Sequence, residues 1–125
     1  MLSVESQLAA LWQHVLPRVA LIGNREGLGA GVVIEPGLIV TNEHVAQADR
    51  VTVRIDGRGF DGKVLARNRH VDLAMIGVDA NIGSGLELAD SDQLEVGQLV
   101  VAAGHPLRQP YQAALGIISG CSRAS

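Results

Sequence analysis

The sequence predicts an all-β fold built around one small closed antiparallel barrel, with a short helix ahead of it. After the first 17 residues the chain breaks into six short apolar runs separated by turn residues, at the spacing of a barrel. Fifteen glycines stand against four prolines, as many tight turns require. Aromatics make up only 2% of the chain, so the core has to be built from Val, Leu, Ile and Ala. A hydrophobic content of 47% with 18% charged residues belongs to a folded globular chain, and 125 residues suffice for one domain with a real core.

The elements follow in order. Val4, Leu8, Leu11 and Val15 recur at helical spacing, Ser3 offers an N-cap and Pro17 a stop. Residues 1–17 are therefore expected as an amphipathic lead-in helix packed on the domain. Its polar face lacks the basic residues that a membrane-surface helix needs. Strands are expected at residues 19–22, 31–34, 38–40, 51–55, 59–66 and 73–78, which makes 18–80 the first barrel. Asn24-Arg25-Glu26-Gly27, Glu35-Pro36-Gly37 and Asp56-Gly57 mark turns between them. Residues 81–97, with Asn81, Gly83, Ser84 and Gly85, read as a flexible connection. Two further runs at 98–103 and 112–119 look like the start of a second unit spanning 98–125.

Charge and composition exclude several classes. The net charge is −3, Lys63 is the only lysine, and Trp12, Phe60 and Tyr111 are too scattered to form a stacking platform, so no nucleic-acid partner is expected. No apolar stretch reaches the length of a membrane span. The N-terminus lacks a basic leader, Glu5 sits early, and Gln13 and His14 interrupt the apolar run, so the chain as written would stay in the cytoplasm. Cys121 is the single cysteine and excludes an internal disulfide.

The chemistry centres on Leu38-Ile39-Val40-Thr41-Asn42-Glu43-His44-Val45, which puts a histidine in a polar turn just after an apolar strand. An imidazole there has the intrinsic pKa of a general base and the loop position one needs. Asp72, in Val71-Asp72-Leu73-Ala74, leads another apolar strand and would be costly to bury without a partner. On local sequence alone, an exposed strand-leading carboxylate stays open as its alternative. Glu43 is expected to be solvated. His14, His70 and His105 share no ligand spacing with His44 or Asp72, so no metal is expected. The glycine run at 27–31 enters a strand and lacks a following Lys-Ser/Thr, so no nucleotide or other cofactor is expected either.

Several motifs appear together in one order: Gly27-Leu28-Gly29-Ala30-Gly31-Val32-Val33-Ile34, Thr41-Asn42-Glu43-His44-Val45, Val71-Asp72-Leu73-Ala74, and Asp90-Ser91-Asp92-Gln93-Leu94-Glu95-Val96-Gly97. Val100-Val101-Ala102-Ala103-Gly104-His105-Pro106 and Gly116-Ile117-Ile118-Ser119 continue it. In this the chain resembles HtrA/Deg-type trypsin-like serine proteases over roughly residues 15–120. The resemblance implies a chymotrypsin-like pair of Greek-key barrels, the first complete and the second only begun. It also implies polypeptide substrates and a Ser-His-Asp triad with His44 as general base and Asp72 as its orienting acid. Members of the family are often extracytoplasmic.

The attacking serine of that family lies in a Gly-Asn-Ser-Gly-Gly-type loop, and no such loop occurs in these residues. Ser84, in Gly83-Ser84-Gly85, follows Asp72 too soon. Ser122 lacks the flanking glycines, and Cys121 fails as a nucleophile for the same reason. The expectation is the N-terminal half of a serine endopeptidase, inactive alone and prone to self-association through its unfinished second barrel. The alternative is a non-catalytic peptide-binding or assembly module derived from such a barrel.

Overall fold

The computed structural model describes residues 3–24, 27–104 and 112–120. Helix α1 (Val4–Val15) begins at Ser3, whose Oγ accepts the Ser6 N–H at 3.1 Å, and passes into a 3-10 turn at Leu16–Arg18. The expectation that this helix packs on the domain is corrected, because no residue of α1 is buried. Leu8, Trp12 and Val15 are only half-covered, and Val4 and Leu11 face solvent.

Six strands close the barrel: β1 (Val19–Asn24), β2 (Gly27–Glu35), β3 (Leu38–Thr41), β4 (Arg50–Ile55), β5 (Arg58–Asn68) and β6 (Leu73–Gly77). Their order around the barrel is β1-β2-β3-β6-β5-β4, every neighbour antiparallel, and β4 pairs back onto β1. Strands β1–β3 and β4–β6 are two meanders. The chain crosses from β3 to β4 over one end of the barrel, and β6 then pairs with β3. The expected strands all form, but β2 and β5 run longer than predicted, each through a bulge (at Val33/Glu35 and Val64/Ala66). Asp56-Gly57 makes the two-residue β4–β5 hairpin with φ of 50° and 78°, the left-handed pair that a type I′ turn requires.

The interior follows the period-2 pattern. Val51, Val53 and Ile55 of β4 point inward while Arg50, Thr52 and Arg54 face water. Ile22, Val33, Ile39, Val53 and Ile76 are the largest fully buried side chains, so branched aliphatics fill the bore, and Phe60 of β5 packs half-buried against them. Gly62 takes an inward position on β5 because a Cβ there would stand 2.7 Å from Ile76 Cγ2 and 2.8 Å from Val53 Cγ2.

The connection expected to be a flexible turn is instead pinned to the barrel. Ile82 is buried in the core cluster, Gly85 lies against the β2 backbone at Ile34, and the Leu86 N–H donates to the Val33 carbonyl at 2.7 Å. Ser84 Oγ accepts from Arg18 Nη2 at 3.1 Å. Beyond a 3-10 turn at Ser91–Gln93, β7 (Leu99–Gly104) and β8 (Gln112–Ile117) form a separate two-stranded antiparallel sheet. His105, Tyr111, Cys121 and Ser122 lie outside the described residues.

Substituting Gly62→Ala is expected to destabilise the barrel by about 1–3 kcal/mol, because its β-branched neighbours are stiff and cannot yield. This outweighs the ~0.4–1 kcal/mol that a Gly→Ala change returns through the unfolded chain. Urea denaturation checks it, and an unchanged or higher midpoint would refute this view of the interior.

Candidate active site

The crossed meander brings the two candidate residues together. Thr41, the last residue of β3, pairs with Ala74 near the start of β6. His44 lies three residues beyond the first, and Asp72 two residues before the second. The Thr41 hydroxyl, itself buried, donates to the Ala30 carbonyl at 2.7 Å and anchors this end of β3.

His44 sits in a single turn over residues 42–46, closed by Val45 N–H to Asn42 O at 3.1 Å and Ala46 N–H to Glu43 O at 3.1 Å. The glycine run of β2 makes room for it, since any Cβ at Gly29 would overlap the Val45 methyl groups. Asp72 sits in the β5–β6 loop, where Asn68 Oδ1 accepts the N–H groups of His70 and Val71 at 3.0 and 3.4 Å. At φ 54°, Asp72 itself is left-handed, a conformation that Asp and Asn tolerate better than other side chains.

That conformation turns the carboxylate onto the histidine. Asp72 Oδ2 lies 2.7 Å from His44 Nδ1, and Oδ1 accepts the His44 backbone N–H at 3.0 Å. Asn42 Nδ2 donates to the Asp72 carbonyl at 3.1 Å, so the turn holds the aspartate at three points. The backbone N–H of His44 is the main cause that keeps the Asp72 carboxyl below its ordinary range. Partial desolvation opposes it, while the His44 ring bond, the ring's charge and the Glu43 N–H act in the same direction. With the carboxylate ionised, the proton between the two side chains sits on Nδ1, and in the neutral ring this tautomer leaves Nε2 as an acceptor.

Asp72 is partnered by the ring and yet not buried: the side chains of His44 and Asp72 are 65% and 43% exposed. The pair lies at the barrel mouth, and no described element covers it. Glu43 is 9% exposed rather than solvated, because the turn that presents residues 42 and 44 to water folds residue 43 inward.

Sequence reasoning gives no role to Asn42 or Arg67. An amide donor inside the histidine turn is the signal that could have singled out Asn42. Arg67 of β5 donates through Nε to the Ala46 carbonyl at 2.9 Å and through Nη2 to Asp49 Oδ1 at 3.2 Å, and nothing in its local sequence sets it apart from neighbouring arginines. His70 stays in the β5–β6 loop and His14 on α1. Among the described residues, no three His, Cys, Asp or Glu side chains gather as a metal site would need. Beside the pair runs an apolar groove of about 500 Å³ between the barrel wall (Val40, Asn42, Leu73) and β7 (Val101, Ala103).

Residues 29–125 match the trypsin-like peptidase domain. The chain is 36% identical over 104 residues to the periplasmic pH-dependent serine endoprotease DegQ of Escherichia coli (strain K12), covering 79% of this chain and 23% of that one. It superposes on the HtrA-type protease AlgW, solved with a tripeptide, at a TM-score of 0.85 and 28% identity, over 93% of this chain and 40% of that chain. The Rv3671c protease in its inactive form gives 0.83 and 28%, over 92% and 58%. The chain thus spans less than a quarter of the length of DegQ, and the fold it shares with these proteases is chymotrypsin-like. Among the described residues, no helix is long and apolar enough to cross a membrane. The chain belongs to the trypsin-like peptidase domain family, of the HtrA/Deg type.

Proposed function

We propose that this chain supplies the base and the orienting acid of a serine endopeptidase acting on polypeptides. His44 is the general base and Asp72 holds its ring. The 2.7 Å contact between Asp72 Oδ2 and His44 Nδ1 carries the reading. In this role Nε2 takes the proton of an attacking serine hydroxyl and returns it to the leaving amine, while Asp72 stabilises the imidazolium between the two steps. The exposure of the pair favours the proposal, because a base must be reachable by the hydroxyl it serves. The serine and its oxyanion-binding N–H groups are supplied from outside these 125 residues. We take residues 18–80 as the unit that holds the pair, 81–97 as its connection, and 98–125 as part of the unit that completes the site.

Loss of one triad member from an intact enzyme leaves a residual of about 10³–10⁴ over water, supplied by the oxyanion hole and substrate binding. Here those elements are missing along with the serine. The 125-residue polypeptide is expected to release no peptide from casein above a protein-free blank. Cleavage that His44→Ala abolishes would overturn the proposal that the nucleophile comes from elsewhere. Cleavage that survives the substitution points to a contaminating protease.

Asp72 gives a pH dependence of known sign. Its folded pKa lies below the unfolded value, so its stabilisation is complete above the ordinary carboxylate range and is lost as pH falls through the folded pKa. Asp72→Asn is expected to lower the urea midpoint at neutral pH, and the gap to wild type should close in acid. A side-chain carboxyl titration by NMR should place the Asp72 midpoint below about 3.9. A midpoint at or above that value contradicts the role of the His44 N–H.

We further propose that the chain associates with itself through the β7–β8 sheet. Leu99, Leu115 and Ile117 stand more than half exposed on one face of it, and each strand has an open edge. Size-exclusion chromatography is expected to show a species larger than 13.1 kDa. A monomer with slow amide exchange across Leu99–Gly104 and Gln112–Ile117 speaks against it.

A further inference from the structure

We infer that Arg67 is a positioning residue for the His44–Asp72 pair: its guanidinium fastens the turn that carries the histidine to the hairpin that carries the aspartate. Arg67 lies on β5 opposite Ala74 of β6, and Asp72 stands in the loop joining these strands. From there Nε reaches the Ala46 carbonyl at 2.9 Å, and Nη2 reaches Asp49 Oδ1 at 3.2 Å. Ala46 is fully buried and ends the turn whose near side is held by Asp72. The two ends of the histidine turn are therefore tied to one hairpin, at Asp72 in the loop and at Arg67 on the strand before it.

The two arms of the guanidinium differ in weight. The Asp49 side chain is 98% exposed, so its ion pair is screened by water and adds little. The bond to Ala46 is part-buried and charge-assisted, and it meets a carbonyl at the negative end of a turn. A parallel link, Val64 N–H to the Asp49 carbonyl at 2.9 Å, holds the chain just beyond. Without the Ala46 arm, the turn can rock about its Asp72 end, and the imidazole loses its fixed bearing on the carboxylate.

This inference rests on the reading of the pair as base and orienting acid, and its test does not require peptidase activity. The tautomer of the neutral His44 ring is read from its ¹⁵N shifts in the whole chain, at a pH where imidazole is uncharged. The wild-type ring is expected chiefly as the Nδ1–H form. Arg67→Ala should lower the ratio of Nδ1–H to Nε2–H by about fivefold, the scale of coupling within one hydrogen-bond network, while the Ile22 and Ile76 methyl signals stay in place. Arg67→Lys, with a point charge for a fork, should give an intermediate ratio. A ratio within about twofold of wild type in Arg67→Ala overturns the inference, since a purely structural residue would leave the tautomer alone. If Arg67→Ala loses its core methyl signals, Arg67→Lys decides: an intermediate ratio supports the inference and a wild-type ratio overturns it. A wild-type ring found as Nε2–H overturns the reading of the pair instead, so the two failures are told apart.

Discussion

The ladder between β3 and β6 is the constraint on which the site depends. It joins strands that are far apart in sequence, and its last pair, Thr41 with Ala74, sets the origin from which both catalytic candidates are measured. Three residues past one partner and two before the other are enough to bring an imidazole to a carboxylate. Neither loop could do this alone, because each is anchored to a different meander. The three-residue seam between β1 and β4 closes the ring and thereby fixes where that ladder can form. Packing of the bore keeps it there, with Ile39 and Ile76 paired inside the same ladder and fully buried.

At the barrel mouth, electrostatics does what packing does inside. Asp72 is held in a left-handed backbone conformation by its loop and accepts from both the main chain and the ring of His44. The backbone bond is the stronger influence on its charge, and that bond needs no particular side chain at position 44. Placement is thus separable from side-chain identity here: the backbone of the turn positions the carboxylate, and the imidazole meets it there.

Much of this was legible in the sequence where the signal is local. The Ser3 cap, the Asp56-Gly57 turn, the alternation of β4 and the polar turn around His44 each announce themselves within a few residues. The fold class follows from them, and the ordered motifs supply the family. Long-range effects were illegible for a common reason. The burial of Glu43, the pinning of Ser84 and the grip of Arg67 on Ala46 all arise when distant segments meet, and none leaves a periodic trace. The unpacked state of α1 was missed differently: its spacing gave a helix correctly, but spacing cannot say whether a surface lies opposite the apolar stripe.

The bulge in β2 reaches further than its own strand. By shifting register between Val33 and Glu35, it leaves the Val33 carbonyl free for the Leu86 N–H, while Ile82 fills the core beside it. The tether for everything beyond Leu86 is therefore on β2, two strands around the barrel from β6. A pull on the β7–β8 sheet would load β2 in shear at that bond, and it would also open the groove that Val101 and Ala103 share with Asn42 and Leu73.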